Sequence, residues 1–337
     1  MIFVTGGTGL LGSHLLTELV KHHPQITAIY RNKEKIKTVK KCFDFYHAEK
    51  ANTLFDKITW KECDVLDIPL LDELMKGHKE VYHCAGIVSF RKKDFNEMME
   101  INRYGTANMV NVALENDINK FCFVSSTAAV GRKDLPKDGT VTENGNWVKT
   151  DETSGYAISK YSAEKEVWRG INEGLNATIV NPCVLFGAGD WSESSMTIFK
   201  TLDKGLKFYS PGSNAFVDAR DVANIMIELM QKEIFNDRFL CIGVNTSFKN
   251  LFERIAKELH KNPPKWEVSK LLMGVAWRFS SFWSAITFSK SPITKDTARN
   301  AFNHVNYSNK KIKKALDYDF YSLEETVKNA VAGRTDQ

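Results

Sequence analysis

The sequence predicts an α/β chain, a doubly wound parallel sheet followed by a C-terminal lobe of different patterning. Three observations carry that expectation. Short, almost continuously apolar runs alternate with helix-like segments through the first half. Such runs belong to parallel strands buried on both faces by crossover helices, and right-handed crossovers wind such a sheet outward in both directions. The chain opens as strand, glycine turn and helix in MIFVTGGTGLLGSH, and beyond Asn181 the alternation gives way to loops and aromatic clusters.

The opening strand, Met1 to Thr5, is apolar and β-rich, and Gly6, Gly9 and Gly12 follow at three-residue spacing. Leu10, Leu11, Leu15, Leu16 and Leu19 then recur at helical spacing, which predicts a helix from Leu10 to Lys21. A helix N-terminus concentrates unpaired N–H groups and the positive end of the dipole, so it attracts phosphate. Glycines there let the backbone approach a pyrophosphate. The turn, with Gly6, Thr8, Gly9, Leu10, Leu11 and Gly12, is therefore expected to seat a dinucleotide.

The second strand, Ile26 to Tyr30, ends at Arg31. An acidic residue there would bind ribose hydroxyls, whereas arginine pairs with a 2′-phosphate and stacks on adenine. NADP is accordingly expected in preference to NAD. A third strand, Ile58 to Glu62, leads to Asp64 and Val65, suited to the adenine amino group and ring face. A helix over Leu70 to Lys76 precedes the fourth strand, Glu80 to Cys84, which leads to Ala85 and Gly86, small enough for close backbone approach. His83 inside that strand reads as a core histidine without chemistry.

A helix over Asn96 to Glu115 carries Asn102 and Thr106, a polar contact or plain packing. The fifth strand, Lys120 to Ser125, runs into the hydroxyls Ser125, Ser126 and Thr127. Tyr156 and Lys160 follow on a helix predicted over Tyr156 to Gly170, where four-residue spacing puts them on one face. A free phenol has a pKa near 10, and a nearby ammonium stabilises its anion. The sixth strand spans Ala177 to Pro182.

Over about the first 245 residues the chain resembles an extended short-chain dehydrogenase/reductase of the NAD-dependent epimerase/dehydratase superfamily, a Rossmann-type fold. Five motifs in the same order carry the resemblance: the glycine turn, the ends of the third and fourth strands, the hydroxyl triplet and Tyr156-x-x-x-Lys160. It is similar above all to the dihydroflavonol 4-reductase and 3β-hydroxysteroid dehydrogenase-like branch, on Arg31, the segment Phe216 to Ala223 and the absence of a tyrosine at Gly131. Sugar-nucleotide epimerases usually carry Val-Tyr-Gly at Val130-Gly131 and Arg-Pro at Asn181-Pro182.

The resemblance implies Tyr156 as proton donor and acceptor, and Lys160 as the group that depresses its pKa and binds the nicotinamide ribose. It implies Thr127, with Ser126 as second choice, as the hydroxyl that orients a substrate carbonyl. Pro182 and Val184 would cover the carboxamide. It implies an enzyme that reduces a ketone, or oxidises the alcohol, of an apolar cyclic or aromatic substrate with NADP. The alternatives are a nucleotide-sugar epimerase or dehydratase with tightly bound NAD, and an NADP(H)-binding redox sensor, which usually lacks the tyrosine or lysine present here. It also implies a discontinuous lobe: residues 1–182 and 215–242 form the dinucleotide domain, and 183–214 and 243–337 the substrate lobe. Within them, Phe186 to Trp191 reads as a loop, Glu193 to Lys204 as a helix, Phe216 to Lys232 as a return to the core, and Leu240 to Ile242 as a late strand.

Composition narrows the partners. The chain is 43% hydrophobic and 26% charged with a net charge of +5, so it carries no nucleic-acid footprint. The lysines between Lys33 and Lys41 read most simply as a solvated face, part of which could meet a phosphate. The six cysteines stand singly without metal or disulfide spacing, which together with a chain opening on a strand suggests a cytoplasmic protein. Residues 271–288 are the most apolar stretch, with Leu272, Val275, Ala276, Phe279, Trp283 and Ile286 at helical spacing. Packing and an aromatic roof over a lipophilic substrate are favoured over membrane contact. No metal is expected, and oligomerisation is left open.

Overall fold

The computed structural model describes residues 1–136, 138–274 and 295–336. Its central sheet has seven parallel strands in the order Asp237–Cys241, Ala177–Pro182, Lys120–Val124, Glu80–His83, Ile2–Thr5, Ile26–Tyr30 and Ile58–Glu62. The chain runs β1 (Ile2–Thr5), α1 (Leu10–His22), β2 (Ile26–Tyr30), α2 (Lys35–His47), α3 (Ala51–Phe55), β3 (Ile58–Glu62), α4 (Ile68–Met75) and β4 (Glu80–His83). It continues through α5 (Phe95–Met98), α6 (Gly105–Glu115), β5 (Lys120–Val124), α7 (Gly155–Asn172), β6 (Ala177–Pro182) and β7 (Val184–Phe186). Then come α8 (Thr197–Asp203), β8 (Phe208–Tyr209), β9 (Ser213–Asp218), α9 (Ala219–Gln231), β10 (Asp237–Cys241), β11 (Val244–Ser247), α10 (Phe248–Glu258) and β12 (Trp266–Glu267).

Strand period-2 geometry divides the core in two. Ile2, Val4, Cys122 and Val180 face one side with Leu15, Leu19 and the α9 residues Val222 and Met226. Phe3, Val81, Phe121, Phe123 and Ile179 face the other with Met109, Val110, Ala163 and Val167. The order of strands reverses between β1 and β4, both paired to each other in parallel register. In such sheets ligands bind beyond the strand carboxyl ends at this reversal.

A second, three-stranded sheet, β11-β9-β7, and a third cluster around Phe186, Trp191, Phe199, Phe216 and Leu251 build the lobe. The helix Leu323–Ala332, opened by a Ser322/Glu325 capping box, packs its Val327 and Ala330 into that cluster.

Several sequence expectations are corrected. The lysine-rich stretch is not only a solvated face but the helix α2, which buries Val39, Cys42 and Phe43 while its lysines pair with Glu34, Asp44 and Glu193. The segment read as a loop begins as strand, since Phe186 ends β7, and its Trp191 is buried. Phe216 itself lies in β9, between β7 and β11, while α9 beyond it packs Val222 and Met226 against the central sheet. The expected helix from Asn96 is interrupted by a π-turn, Met99–Tyr104. Of residues 271–288 only 271–274 are described, with Leu271 and Leu272 exposed, so the expectation for the rest lies outside the described residues. No described helix is long and apolar enough to cross a membrane.

Candidate active site

The glycine turn is built by contacts that exclude side chains. Gly6 adopts φ +68°, a left-handed conformation natural to glycine, and a Cβ on it would lie 2.5 Å from the Ala85 nitrogen. A Cβ on Gly12 would lie 2.1 Å from the Gly6 carbonyl oxygen, which locks α1 against the turn. Gly9 caps α1 with extended backbone, no side chain bonds the free N–H groups, and the first turn holds no acidic residue. An N-terminus left uncapped by protein at the sheet reversal has the donors that a diphosphate needs. Thr8 and Leu10 are partly exposed there, and Leu11 is buried beneath.

Arg31 leaves β2 half exposed, with its guanidinium 3.5 Å from the Asp64 carboxylate. The other Asp64 oxygen accepts from the Leu66 N–H at 3.0 Å. Val65 is buried against Gly105, and Asn108 donates to its carbonyl at 3.1 Å. The exposed Arg31–Asp64 pair is cheap to rearrange, because solvent screens it.

Ala85 and Gly86 are held by a buried polar chain. The Ala85 N–H donates to the Thr5 hydroxyl at 3.2 Å, and that hydroxyl bonds His83 Nδ1 at 2.6 Å. His83 Nε2 bonds the Thr106 hydroxyl at 3.0 Å, and Thr106 donates to the Asn102 carbonyl at 2.6 Å. Each hydroxyl has one proton, so Nε2 carries the ring proton and Nδ1 accepts. Burial, aided by the Lys160 charge, drives the His83 pKa down to about 3, consistent with this neutral ring. His83 is thus a fully partnered core residue. Asn102 does more than pack: its amide accepts from the Ile87 N–H at 2.8 Å and donates to the Ile87 carbonyl and the Ser159 hydroxyl. The π-turn supplies this residue at a helix face facing the strand end.

Beyond β5 the catalytic candidates converge. The Ser154 hydroxyl accepts from the Ala157 N–H and starts α7, so Tyr156 falls in its first turn and Lys160 one turn later. The Lys160 ammonium donates to the Val124 carbonyl at 2.8 Å and lies 4.7 Å from the Phe123 ring centre. Burial lowers its pKa to about 8, opposed by Glu164. Burial raises the Tyr156 phenol above its ordinary value, and the group opposing that shift is the Ser126 hydroxyl. The Lys160 ammonium, bonded to the Val124 carbonyl, stands one turn along α7 from the phenol and keeps further N–H donors. Ser126 also accepts from the Ala128 N–H, whereas the Thr127 hydroxyl has no partner among the described residues. Phe90 packs edge-on against Tyr156 at 5.8 Å and walls a recess of about 230 Å³ that combines Phe95, Met98 and Ile158 with Ser89, Arg91 and Lys92. Pro182 ends β6 and Val184 opens β7, on the same sheet end.

Glu164 was not among the residues singled out from the sequence, although its place four residues after Lys160 was the available signal. The described residues contain no cluster of three potential metal ligands, and all six cysteines are free thiols.

Comparison with known proteins places this geometry. Residues 2–242 match the model of the NAD dependent epimerase/dehydratase family. Sterol demethylase protein B of Methylococcus capsulatus is 26% identical over 277 residues, covering 81% of this chain and 79% of that protein. Anthocyanidin reductase of Arabidopsis thaliana is 27% identical over 286 residues, covering 79% and 81%. Among solved structures, that of gox2253 superposes with a TM-score of 0.78 at 25% identity, covering 99% of this chain and 97% of that one.

Proposed function

The chain belongs to the NAD dependent epimerase/dehydratase family and is an NAD(P)-dependent enzyme of the extended short-chain type; from that premise we propose an NADP-dependent reductase of a ketone on an apolar cyclic or aromatic substrate. The observation that carries this reading is the meeting of Tyr156, Lys160, Ser126 and Thr127 beside a recess walled by Phe90, Phe95 and Met98. Two relatives are named for a sterol and an anthocyanidin, which supports a polycyclic substrate class.

The glycine turn, Arg31, Asp64, Val65, Ala85 and Gly86 would hold the dinucleotide, with Pro182 and Val184 over its carboxamide. When bound, it supplies the hydride that the protein cannot. Tyr156 delivers a proton to the substrate oxygen. Thr127, whose hydroxyl is free, donates to that same oxygen and stabilises its developing charge. Ser126 holds the phenol in position, and the Lys160 ammonium supports the negative charge left when the proton departs. Phe90, packed on the Tyr156 ring, with Phe95 and Met98 beyond it, would offer an apolar wall to a flat substrate.

Spectrophotometric screening of NADPH consumption over ketones, flavonoids, steroids and sugar nucleotides tests the reading. Turnover is expected with a polycyclic ketone. Activity confined to sugar nucleotides, with NAD retained through purification, would replace it by an epimerase or dehydratase.

Cofactor choice has its own outcome. Charge-assisted bonds contribute about 1.5–3 kcal/mol, so Arg31→Ser should weaken NADPH roughly 10- to 100-fold and leave NADH nearly unchanged. Fluorescence titration with both dinucleotides measures this. Equal losses would remove Arg31 from the 2′-phosphate.

A further inference from the structure

Glu164 is 2% exposed on the sheet-facing side of α7, two turns after Tyr156 and one after Lys160. Four donors converge on its carboxylate. Ser125 donates from its hydroxyl at 2.6 Å and Asn181 from its amide at 2.8 Å, both to Oε2. Arg238 at 2.8 Å and the Trp168 indole at 3.4 Å reach Oε1. The same Asn181 amide nitrogen donates to the Ser126 carbonyl at 3.0 Å, so the carboxylate and the Ser126 backbone are clamped by one group. Arg238 is itself fixed by the Glu143 carbonyl, and Glu143 accepts from the Leu240 N–H at 3.0 Å. The carboxylate thereby ties α7, the end of β5, β6 and β10 into one rigid unit.

We propose that Glu164 is a positioning residue: through Ser125 and Asn181 it fixes the Ser126–Thr127 end of β5 against Tyr156, one turn along α7 from Lys160. This rests on the reductase reading for its catalytic consequence. Alternatives for the same side chain are weaker. A surface role is excluded by its burial, and a purely structural ion pair with Arg238 needs neither Ser125 nor Asn181. The groups facing the ammonium are His83 and the adjoining Cys84, the Val124 carbonyl and Phe123 ring from β5, and Glu164 from its own helix. Of these Glu164 carries the negative charge that favours the protonated lysine.

The test compares the parent chain with Glu164→Gln, with Glu164→Asp as conservative rescue. Because the glutamine leaves the Arg238 guanidinium unpaired, the double variant Glu164→Gln/Arg238→Met is the version to use if the single one does not fold. Two readouts are taken across pH 6 to 10: NADPH affinity by fluorescence, and kcat with KM on any substrate found by screening. Removing the charge should move the alkaline midpoint of NADPH affinity down by about one pH unit. Misplacing the hydroxyls should lower kcat on the order of tenfold to a hundredfold with little change in KM, and Glu164→Asp should recover part of both. An unshifted midpoint with unchanged kcat in a folded glutamine variant overturns the proposal. A shifted midpoint in a chain that reduces no ketone overturns the reductase reading and leaves the network standing. A parent that binds no dinucleotide overturns both.

Discussion

Tyr156→Phe should lower kcat by roughly 100- to 10,000-fold, the usual contribution of a positioned general acid, while NADPH affinity stays within about twofold. The substitution removes one oxygen and keeps the ring, so the edge-on contact with Phe90 at 5.8 Å persists. The Ser126 hydroxyl keeps its bond from the Ala128 N–H, and Lys160 keeps its bond to the Val124 carbonyl. Nothing that holds the dinucleotide is altered. What disappears is the phenol proposed to give a proton to the substrate oxygen. Thr127 can still polarise that oxygen, which accounts for the residual rate. Steady-state kinetics together with a fluorescence titration separate the two effects. A variant that retains full turnover would reassign the proton to another group, and a variant that loses NADPH as well would make Tyr156 a binding residue first.

The second large effect concerns the turn after β1. Gly9→Asp should weaken dinucleotide binding roughly 100-fold without harming the fold. Gly9 has φ −84° and ψ 171°, open to any L residue, and a Cβ there would meet only the Gly6 carbonyl at 3.4 Å. Aspartate is among the best N-cap residues and would bond the free N–H groups of α1, so thermal stability should hold or rise. That same carboxylate stands where the diphosphate would lie, and like charges brought together cost several kcal/mol. About 3 kcal/mol corresponds to a loss of roughly 100-fold in affinity. Gly9→Ser, a cap without charge, should lose far less. Differential scanning calorimetry alongside NADPH titration checks both halves. If the aspartate variant binds NADPH normally, the diphosphate does not sit on α1.

These substitutions also show what kind of information was local. The turn is legible because close backbone approach admits no Cβ at Gly6 or Gly12, and glycine is the only residue that satisfies those two positions. Tyr156 and Lys160 are legible because helical periodicity aligns residues four apart. The strands of the central sheet are legible because burial on both faces leaves them almost wholly apolar. Helix α2 was obscured by its own lysines: its buried stripe is only Val39, Cys42 and Phe43, and the charged face dominates the composition. β7 was obscured because Val184–Phe186 is three residues long and flanked by glycine.

The sequence by itself determined the alternation of strand and helix, the glycine turn and the alignment of Tyr156 with Lys160 on one helix face, since each follows from spacing along the chain. Only the tertiary structure decided which hydroxyl touches the phenol, where the Lys160 ammonium points, and how Asn102, His83 and Glu164 brace the strand ends. Those are distances between side chains 15 to 78 residues apart in sequence, and no periodicity encodes them. They are fixed by the packing of separate strands and helices, where burial makes every unpaired polar group costly and so selects the one arrangement that pairs them.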